Sequence, residues 1–217
     1  MQANYVQRHR FRFSKSGPTQ YIGHLDLART LERAFNRAQV PVAYTQGFNR
    51  RPRMQFASAL PLGFTSRAEL ADVWLVETMP PTEMQSRLAA KMAPGITILE
   101  VWEVPLSAPN LQTITRSAEY EALLPESVPA GELAESIANL LAAAALPRER
   151  KGKPYDLRPL VETILLVEED KGAGRLKMRL TLLPGQTGRP DEVLAELGFD
   201  PLDIRVERTA IHLAEDA

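Results

Sequence analysis

Two groups of arginines have the residue type and spacing that suit phosphate binding. Arg8, Arg10 and Arg12 alternate along residues 5–13, whose period of two is typical of a β-strand, so all three point to one face. Three more arginines lie in the predicted turn at residues 46–53. Guanidinium groups bind phosphate through paired, charge-assisted hydrogen bonds and also stack on bases. We therefore predict one exposed basic surface that binds nucleic acid.

Other side chains extend this predicted surface. Phe48 and Tyr44 lie beside the second arginine group and can stack on unpaired bases. The basic segment at residues 148–153 suits an exposed loop that meets phosphate or an acidic partner. Salt bridges to the acidic second half, or an arginine-lined protein interface, would explain the same charges. The predicted nucleic-acid-binding residues are Arg8, Arg10, Arg12, Lys15, Phe48, Asn49, Arg50, Arg51, Arg53, Arg150, Lys151 and Lys153.

His24 is the one candidate for acid–base catalysis. It stands at the start of a predicted helix, with Tyr21 and Lys15 upstream, and this trio could support cleavage of RNA. A histidine that caps the helix or is held by a structural hydrogen bond fits the same position. The three histidines of the chain do not have metal-ligand spacing, and no phosphate-binding glycine loop precedes a helix.

Composition narrows the class of protein. The 217 residues are 44% hydrophobic and 24% charged, which is typical of a globular protein. The net charge of −1 conceals an asymmetry, because residues 1–60 carry +8 and the remainder −9. The chain has no cysteine, which excludes disulfides, thiolate zinc sites and protein-bound iron–sulfur clusters, and we expect no cofactor in this chain. It lacks both a leader pattern and an apolar run long enough for a membrane span, so we expect a cytoplasmic protein that does not contact a membrane.

The hydrophobic patterning predicts an α+β fold made of two tandem ferredoxin-like (βαββαβ) halves. A basic N-terminal domain spans residues 1–106 and an acidic C-terminal domain spans residues 107–217, with a proline-containing linker at residues 105–110. The predicted strands are residues 5–13, 40–45, 54–60, 70–77, 96–104, 120–124, 162–168, 175–183 and 204–213. The predicted helices are residues 24–38, 83–92, 132–145 and 190–197.

Several short motifs resemble one family. They are FRFSKSG at residues 11–17, YIGHLDL at 21–27, YTQGFN at 44–49, LPLG at 60–63, DLRP at 156–159 and RT at 208–209. Together they resemble the radical-SAM-linked proteins, a family built on a domain of unknown function of the 2344 type. The resemblance implies a radical SAM protein as partner and does not imply a reaction. The loop at residues 50–53 reads RRPR where Pro-His-Pro-Lys is typical of the family, so no catalytic role of a loop histidine carries over.

These observations lead to one favoured hypothesis and two alternatives. Radical SAM chemistry needs three cysteines to hold its cluster, so a cysteine-free chain could only assist such an enzyme. We expect a non-catalytic module that presents RNA, or an RNA-bound substrate, to a radical SAM enzyme. The first alternative is a metal-independent RNA-processing enzyme that uses His24, by analogy with endoribonucleases and pseudouridine synthases of tandem ferredoxin-like fold. The second is a protein adaptor that docks an acidic partner.

Overall fold

The computed structural model describes residues 5–125, 129–150, 152–167 and 174–214. Within these ranges the chain combines α-helices with strands that pair mostly in antiparallel fashion, and the predicted α+β class is confirmed. None of the helices in the described ranges is both long enough and apolar enough to span a membrane.

The elements are numbered here in chain order. The strands are β1 (Gln7–Lys15), β2 (Met54–Phe56), β3 (Thr65–Leu75), β4 (Ile96–Val104), β5 (Thr115–Leu123), β6 (Pro147–Arg150), β7 (Lys153–Asp156), β8 (Val161–Val167), β9 (Arg175–Leu183), β10 (Gln186–Thr187) and β11 (Arg205–Leu213). The α-helices are α1 (His24–Arg37), α2 (Pro81–Ala89), α3 (Leu111–Ile114), α4 (Ala130–Ala142) and α5 (Pro190–Glu196). Short 3₁₀ helices lie at Gly17–Tyr21 and Arg158–Leu160.

The chain divides into two compact units, residues 1–115 and 116–217. The predicted domains differ from these units by residues 107–115, which contain α3. This segment packs within the first unit, where the backbone N–H of Leu111 donates to Oε1 of Gln55 at 3.0 Å. The proline-containing connector therefore lies inside the first unit and does not mark its end.

In the first unit, β1 lies between β3 and β4 and pairs with both in antiparallel fashion. The short β2 pairs with the other edge of β3, so the strand order is β4-β1-β3-β2. Phe11 and Phe13 on β1 are buried against α1, whose Phe35 ring lies edge-on to Phe11 at 5.9 Å. The helix supplies a stripe of apolar residues at helical spacing, including Leu27 and Leu31, and this stripe closes the core.

The predicted strand at residues 40–45 is wrong. Val42 and Tyr44 make only isolated bridges, to Leu75 and Pro52 respectively. Backbone hydrogen bonds flank the Tyr44–Pro52 bridge, from the Thr45 N–H to the Arg51 carbonyl at 2.8 Å and from the Arg53 N–H to the Ala43 carbonyl at 2.6 Å, but the pairing is limited to this one bridge. The segment instead carries the chain from α1 into an exposed loop.

In the second unit, β5 lies between β9 and β11, and β8 pairs with the other edge of β9. The strand order is therefore β8-β9-β5-β11, with β10 pairing at the end of β9. Tyr120, Met178 and Leu180 from the central strands are buried, as are Ile137 of α4 and Val193 of α5. The hairpin of β6 and β7 forms a separate two-stranded sheet.

Candidate functional site

Arg8 and Arg10 form a buried ion-pair cluster with Asp72, and the prediction that they lie on an exposed surface is wrong. Their exposed fractions are 1% and 6%, and that of Asp72 is 0%. Arg8 Nε donates to Asp72 Oδ2 at 3.0 Å, and Arg10 Nε donates to Asp72 Oδ1 at 2.7 Å. Asp72 stands directly opposite Arg10 in the β1–β3 ladder. The neighbouring strand thus supplies the anion that relieves repulsion between the two arginines.

The remaining contacts of Arg8 are also structural. Its Nη1 donates to the carbonyl of Ala108 at 2.6 Å, and its Nη2 donates to the carbonyl of Pro109 at 2.9 Å. Its guanidinium carbon lies 4.7 Å from the ring centroid of Trp74. These contacts tie the connector after β4 to the centre of the sheet. Such an arginine has little capacity left for an external phosphate.

Arg53 and Arg12, two further predicted phosphate ligands, are engaged as well. The Arg53 guanidinium lies over the rings of Tyr5 and Trp74, at 4.7 Å and 5.0 Å. Arg12 is exposed and forms an ion pair with Glu100, its cross-strand partner on β4. Cation–π contacts and exposed ion pairs leave both side chains at the surface, but each already has a partner.

Lys15 is buried, which removes it from the predicted binding surface and from the predicted catalytic trio. Its exposed fraction is 1%, and its ammonium donates to the carbonyls of Gln20 and Ile22 at 3.3 Å and 3.1 Å. These bonds fix the segment that leads into α1. A substrate phosphate cannot reach this amine without displacing that segment.

A cavity of about 460 Å³ lies between one face of α1 and the loop at residues 46–51. We call it the arginine groove. Its lining residues are Arg29, Glu32, Arg33, Asn36, Phe48, Asn49, Arg50 and Arg51. The structure thus brings four of the predicted residues together, and they meet a helix face that the sequence prediction did not include.

The helix half of the arginine groove follows from the periodicity of α1. Arg29, Glu32, Arg33 and Asn36 are spaced three or four residues apart, so they share one face. The opposite face carries the buried apolar stripe of the core. The sequence signal for this half is the recurrence of arginine at every fourth position from Arg29. It indicates a basic stripe on the helix, but it does not indicate which other segment lies against that stripe.

Hydrogen bonds hold the loop half against the helix. The hydroxyl of Tyr44 donates to Oδ1 of Asn36 at 2.8 Å. Thr45 and Arg51 close the loop, since the Thr45 N–H donates to the Arg51 carbonyl at 2.8 Å and Thr45 Oγ1 accepts from the Arg51 N–H at 3.1 Å. Gly47 adopts φ +127°, a backbone conformation that favours glycine, and it permits the reversal at the tip.

The charges and the exposure of the lining side chains indicate which ligands the arginine groove can bind. Four guanidinium groups and one carboxylate line it. No described residue pairs with the side chain of Arg33 or Arg50, whereas Arg29 is paired with Asp26 at 3.1 Å. Phe48 is 109% exposed, so its ring is more accessible than in an extended reference peptide. Unpaired cations beside a free aromatic face suit a ligand that carries both phosphate and a flat ring.

His24 does not sit in the arginine groove. It is the first residue of α1 and half-buried, and its ring lies edge-on to Phe56 with 4.7 Å between centroids. Its buried Nδ1 has no hydrogen-bond partner among the described residues, and Tyr21 is exposed. Burial lowers the pKa of His24 below its ordinary value of 6.5, although the charge of Glu69 opposes this shift. Because its ring packs on Phe56, His24 contributes to the packing of the first unit.

The lowered pKa of His24 makes the stability of the protein pH-dependent. In the unfolded chain His24 binds a proton near pH 6.5, whereas in the folded chain it binds one only at lower pH. The free energy of unfolding therefore decreases as pH falls below about 6.5. The buried His9, whose pKa burial also lowers, adds to the same effect. We expect His24→Phe to lose less unfolding free energy than the parent between about pH 7.5 and pH 5.5, measured by urea denaturation. An equal loss in both proteins would contradict this account of His24.

The second basic segment forms the β6–β7 hairpin of the second unit. Arg150 and Lys153 are exposed and paired in register at its tip, and Lys151 lies outside the described residues. Asp156, at the end of β7, accepts from the backbone N–H groups of Leu146 and Arg158 at 2.7 Å and 3.0 Å. The hairpin is thus anchored at its base and presents at least two cations to solvent.

A family model matches residues 8–190 of the chain, and its description reads "Uncharacterized protein conserved in bacteria (DUF2344)". The chain belongs to this DUF2344 family. No curated protein matches the sequence.

The described ranges contain no group of three or more His, Asp or Glu side chains arranged to hold a metal ion.

Two solved structures match the chain over nearly its whole length. One is a chain from "Crystal Structure of a Cbf5-Nop10-Gar1 Complex", with a TM-score of 0.54 and 9% identity. The match covers 98% of this chain and 51% of the chain in that complex. The other is from "Crystal structure of the archaeal box H/ACA sRNP Nop10-Cbf5 complex", with a TM-score of 0.48, 8% identity, and 97% and 49% coverage. The chain therefore spans about half the length of the two chains it matches. At such identity the first likeness shows a shared fold and no more.

Proposed function

We propose that this chain is a non-catalytic RNA-binding module whose arginine groove holds a single-stranded segment. The observation that carries the proposal is the juxtaposition of Arg33, Arg50 and Arg51 with the fully exposed ring of Phe48. Guanidinium groups fix the phosphates, and the aromatic ring offers a face on which an unpaired base stacks. The favoured sequence hypothesis is kept, but the binding surface moves from β1 to the groove.

Single-stranded RNA fits this chemistry better than a duplex. A base inside a helix is covered on both faces by its neighbours and cannot stack on Phe48. Proteins that read RNA mainly target loops, bulges and ends, where bases are unstacked and can be splayed onto aromatic side chains. An acidic protein partner would satisfy the arginines but would leave the exposed ring unused, which is why we favour RNA over the adaptor alternative.

The radical SAM partner belongs to the same proposal. It is supported by the resemblance of the motifs to radical-SAM-linked proteins and by the absence of cysteine, which prevents this chain from holding the cluster itself. In this scheme the chain binds RNA, or an RNA-bound substrate, and presents it to the enzyme. The endoribonuclease alternative has less support, because Lys15 is buried and the His24 ring packs on Phe56.

We also assign each unit to the ferredoxin-like fold. Once the short α3 and β10 and the β6–β7 hairpin are set aside, the first unit runs β1-α1-β2-β3-α2-β4 and the second runs β5-α4-β8-β9-α5-β11. The strand orders β4-β1-β3-β2 and β11-β5-β9-β8 support the assignment, because each unit places its fourth strand beside the first, then the third, then the second. On this fold the arginine groove lies beside the first helix of the first unit.

Removing the Phe48 ring tests the stacking half of the proposal. We expect Phe48→Ala to weaken the binding of single-stranded RNA by about 1–3 kcal/mol, the range for loss of one base–aromatic stack. Because the ring is exposed, folding should be unchanged. Fluorescence anisotropy with a labelled oligonucleotide measures the difference. The matched control is Leu62→Ala, which removes another exposed apolar side chain from the first unit and should leave affinity unchanged. Equal affinity of Phe48→Ala and the parent would contradict stacking at this residue.

A further inference from the structure

Among the described residues that line the arginine groove, Glu32 is the one acidic side chain. It is half-buried, and no described residue forms a hydrogen bond or an ion pair with it. Arg29, three residues earlier on the same face, is paired instead with Asp26. A carboxylate repels phosphate, so a groove that bound only the RNA backbone would gain nothing from it. Its presence points to a contact with a different part of the ligand.

Asn36 stands one helical turn after Glu32, on the same face of α1. Its Oδ1 accepts a hydrogen bond from the Tyr44 hydroxyl, which fixes the orientation of the amide. The Nδ2 group forms no hydrogen bond with a described residue, so a residue that lines the groove keeps a donor for a ligand. The helix face therefore offers a carboxylate that accepts two hydrogen bonds and, beside it, an amide that donates.

The edge of only one common base complements this pattern. The Watson–Crick edge of guanine carries two adjacent donors, N1–H and the N2 amino group, followed by the O6 acceptor. Adenine and cytosine place an acceptor nitrogen next to their amino group, and that lone pair would face the carboxylate. Uracil has a single donor between two carbonyl oxygens. Two oxygens of a carboxylate can accept both guanine donors at once.

We propose that the arginine groove selects an unpaired guanine, with Glu32 accepting from N1–H and the N2 amino group and Asn36 donating to O6. The base stacks on Phe48 while the arginines hold the flanking phosphates. This inference rests on the proposed function, because it names the base that the same groove reads. The guanine must be unpaired, since in a duplex its Watson–Crick edge is occupied by cytosine.

The test compares short oligouridines that carry one central guanosine, inosine, adenosine or cytidine, titrated against the full chain. We expect guanosine to bind about tenfold more tightly than adenosine or cytidine, within the range for one bidentate base contact. Inosine keeps N1–H and O6 but lacks the N2 amino group, so its affinity should fall between these values. An inosine oligonucleotide that binds as tightly as guanosine would contradict the role of the N2 donor.

Substitution of Glu32 separates this inference from the proposed function. We expect Glu32→Gln to lose the preference for guanosine while retaining RNA binding, because the amide offers one acceptor and one donor. Glu77→Gln is the control, since it removes the same charge from an exposed site outside the groove and should keep the preference. If Glu32→Gln still prefers guanosine, or if the parent shows no preference while binding RNA, the inference fails alone. If the parent binds none of the oligonucleotides, the proposed function fails with it.

Discussion

Asp72→Ala is expected to lower the free energy of unfolding by about 3–5 kcal/mol, the cost of leaving a buried charge without its partner. Asp72 accepts hydrogen bonds from both Arg8 and Arg10, and all three side chains are buried. Removing the carboxylate leaves the guanidinium groups of Arg8 and Arg10 side by side on β1 without an anion between them. Urea denaturation followed by tryptophan fluorescence measures the loss, with Trp74 beside Arg8 as an internal probe.

An exposed pair from the same unit provides the control. Asp26→Ala breaks the exposed pair with Arg29 on α1, and pairs of this kind contribute about 0–1 kcal/mol. If Asp72→Ala does not fold at all, Asp72→Asn keeps the shape of the side chain and one acceptor oxygen, and it should fold with reduced stability. A loss in Asp72→Ala no larger than in Asp26→Ala would contradict the structural role of the cluster.

The second large effect is expected in the arginine groove. Replacing Arg33 and Arg50 together by alanine should weaken RNA binding by about tenfold for each arginine, since a hydrogen bond to a charged group contributes about 1.5–3 kcal/mol. Neither side chain pairs with a described residue, so their loss should leave the fold intact. Binding is measured by anisotropy, and folding by circular dichroism on the same samples.

The matched control for this pair removes the same charge elsewhere. Arg12 and Arg87 are exposed, lie outside the groove, and are paired with Glu100 and Glu83. Their double replacement by alanine should leave RNA affinity within about twofold of the parent, because long-range charge effects are screened at physiological salt. If this control weakens binding as much as the groove variant does, the binding surface lies on β1 after all or is not localised.

Local patterning predicted the elements well where they are long and regular. The predicted bounds of β4 and β9 are those of the structure, and α1 begins at His24 as expected. The alternation in β1 also placed Phe11 and Phe13 on the core side. These features depend on period and capping within a few residues, which the sequence displays directly.

The candidate site was only half predictable because it depends on contacts distant in sequence. The sequence predicts that Arg8 and Arg10 are exposed, because no residue near them in sequence indicates that Asp72 lies opposite them on β3. The loop residues of the groove were identified from their own composition. The helix residues were missed because their role depends on the hydrogen bond between Tyr44 and Asn36, which brings the loop against α1.

The salt dependence of RNA binding tests the central claim most directly. Each phosphate contact on a single strand should contribute about 0.7 to the slope of log Kobs against log salt concentration. We predict a shallower slope for the Arg33→Ala, Arg50→Ala double variant, by about 1.4 if each arginine contacts one phosphate, and an unchanged slope for the Arg12→Ala, Arg87→Ala control. The same slope for the groove variant and the parent would contradict the assignment of the arginine groove as the RNA-binding site.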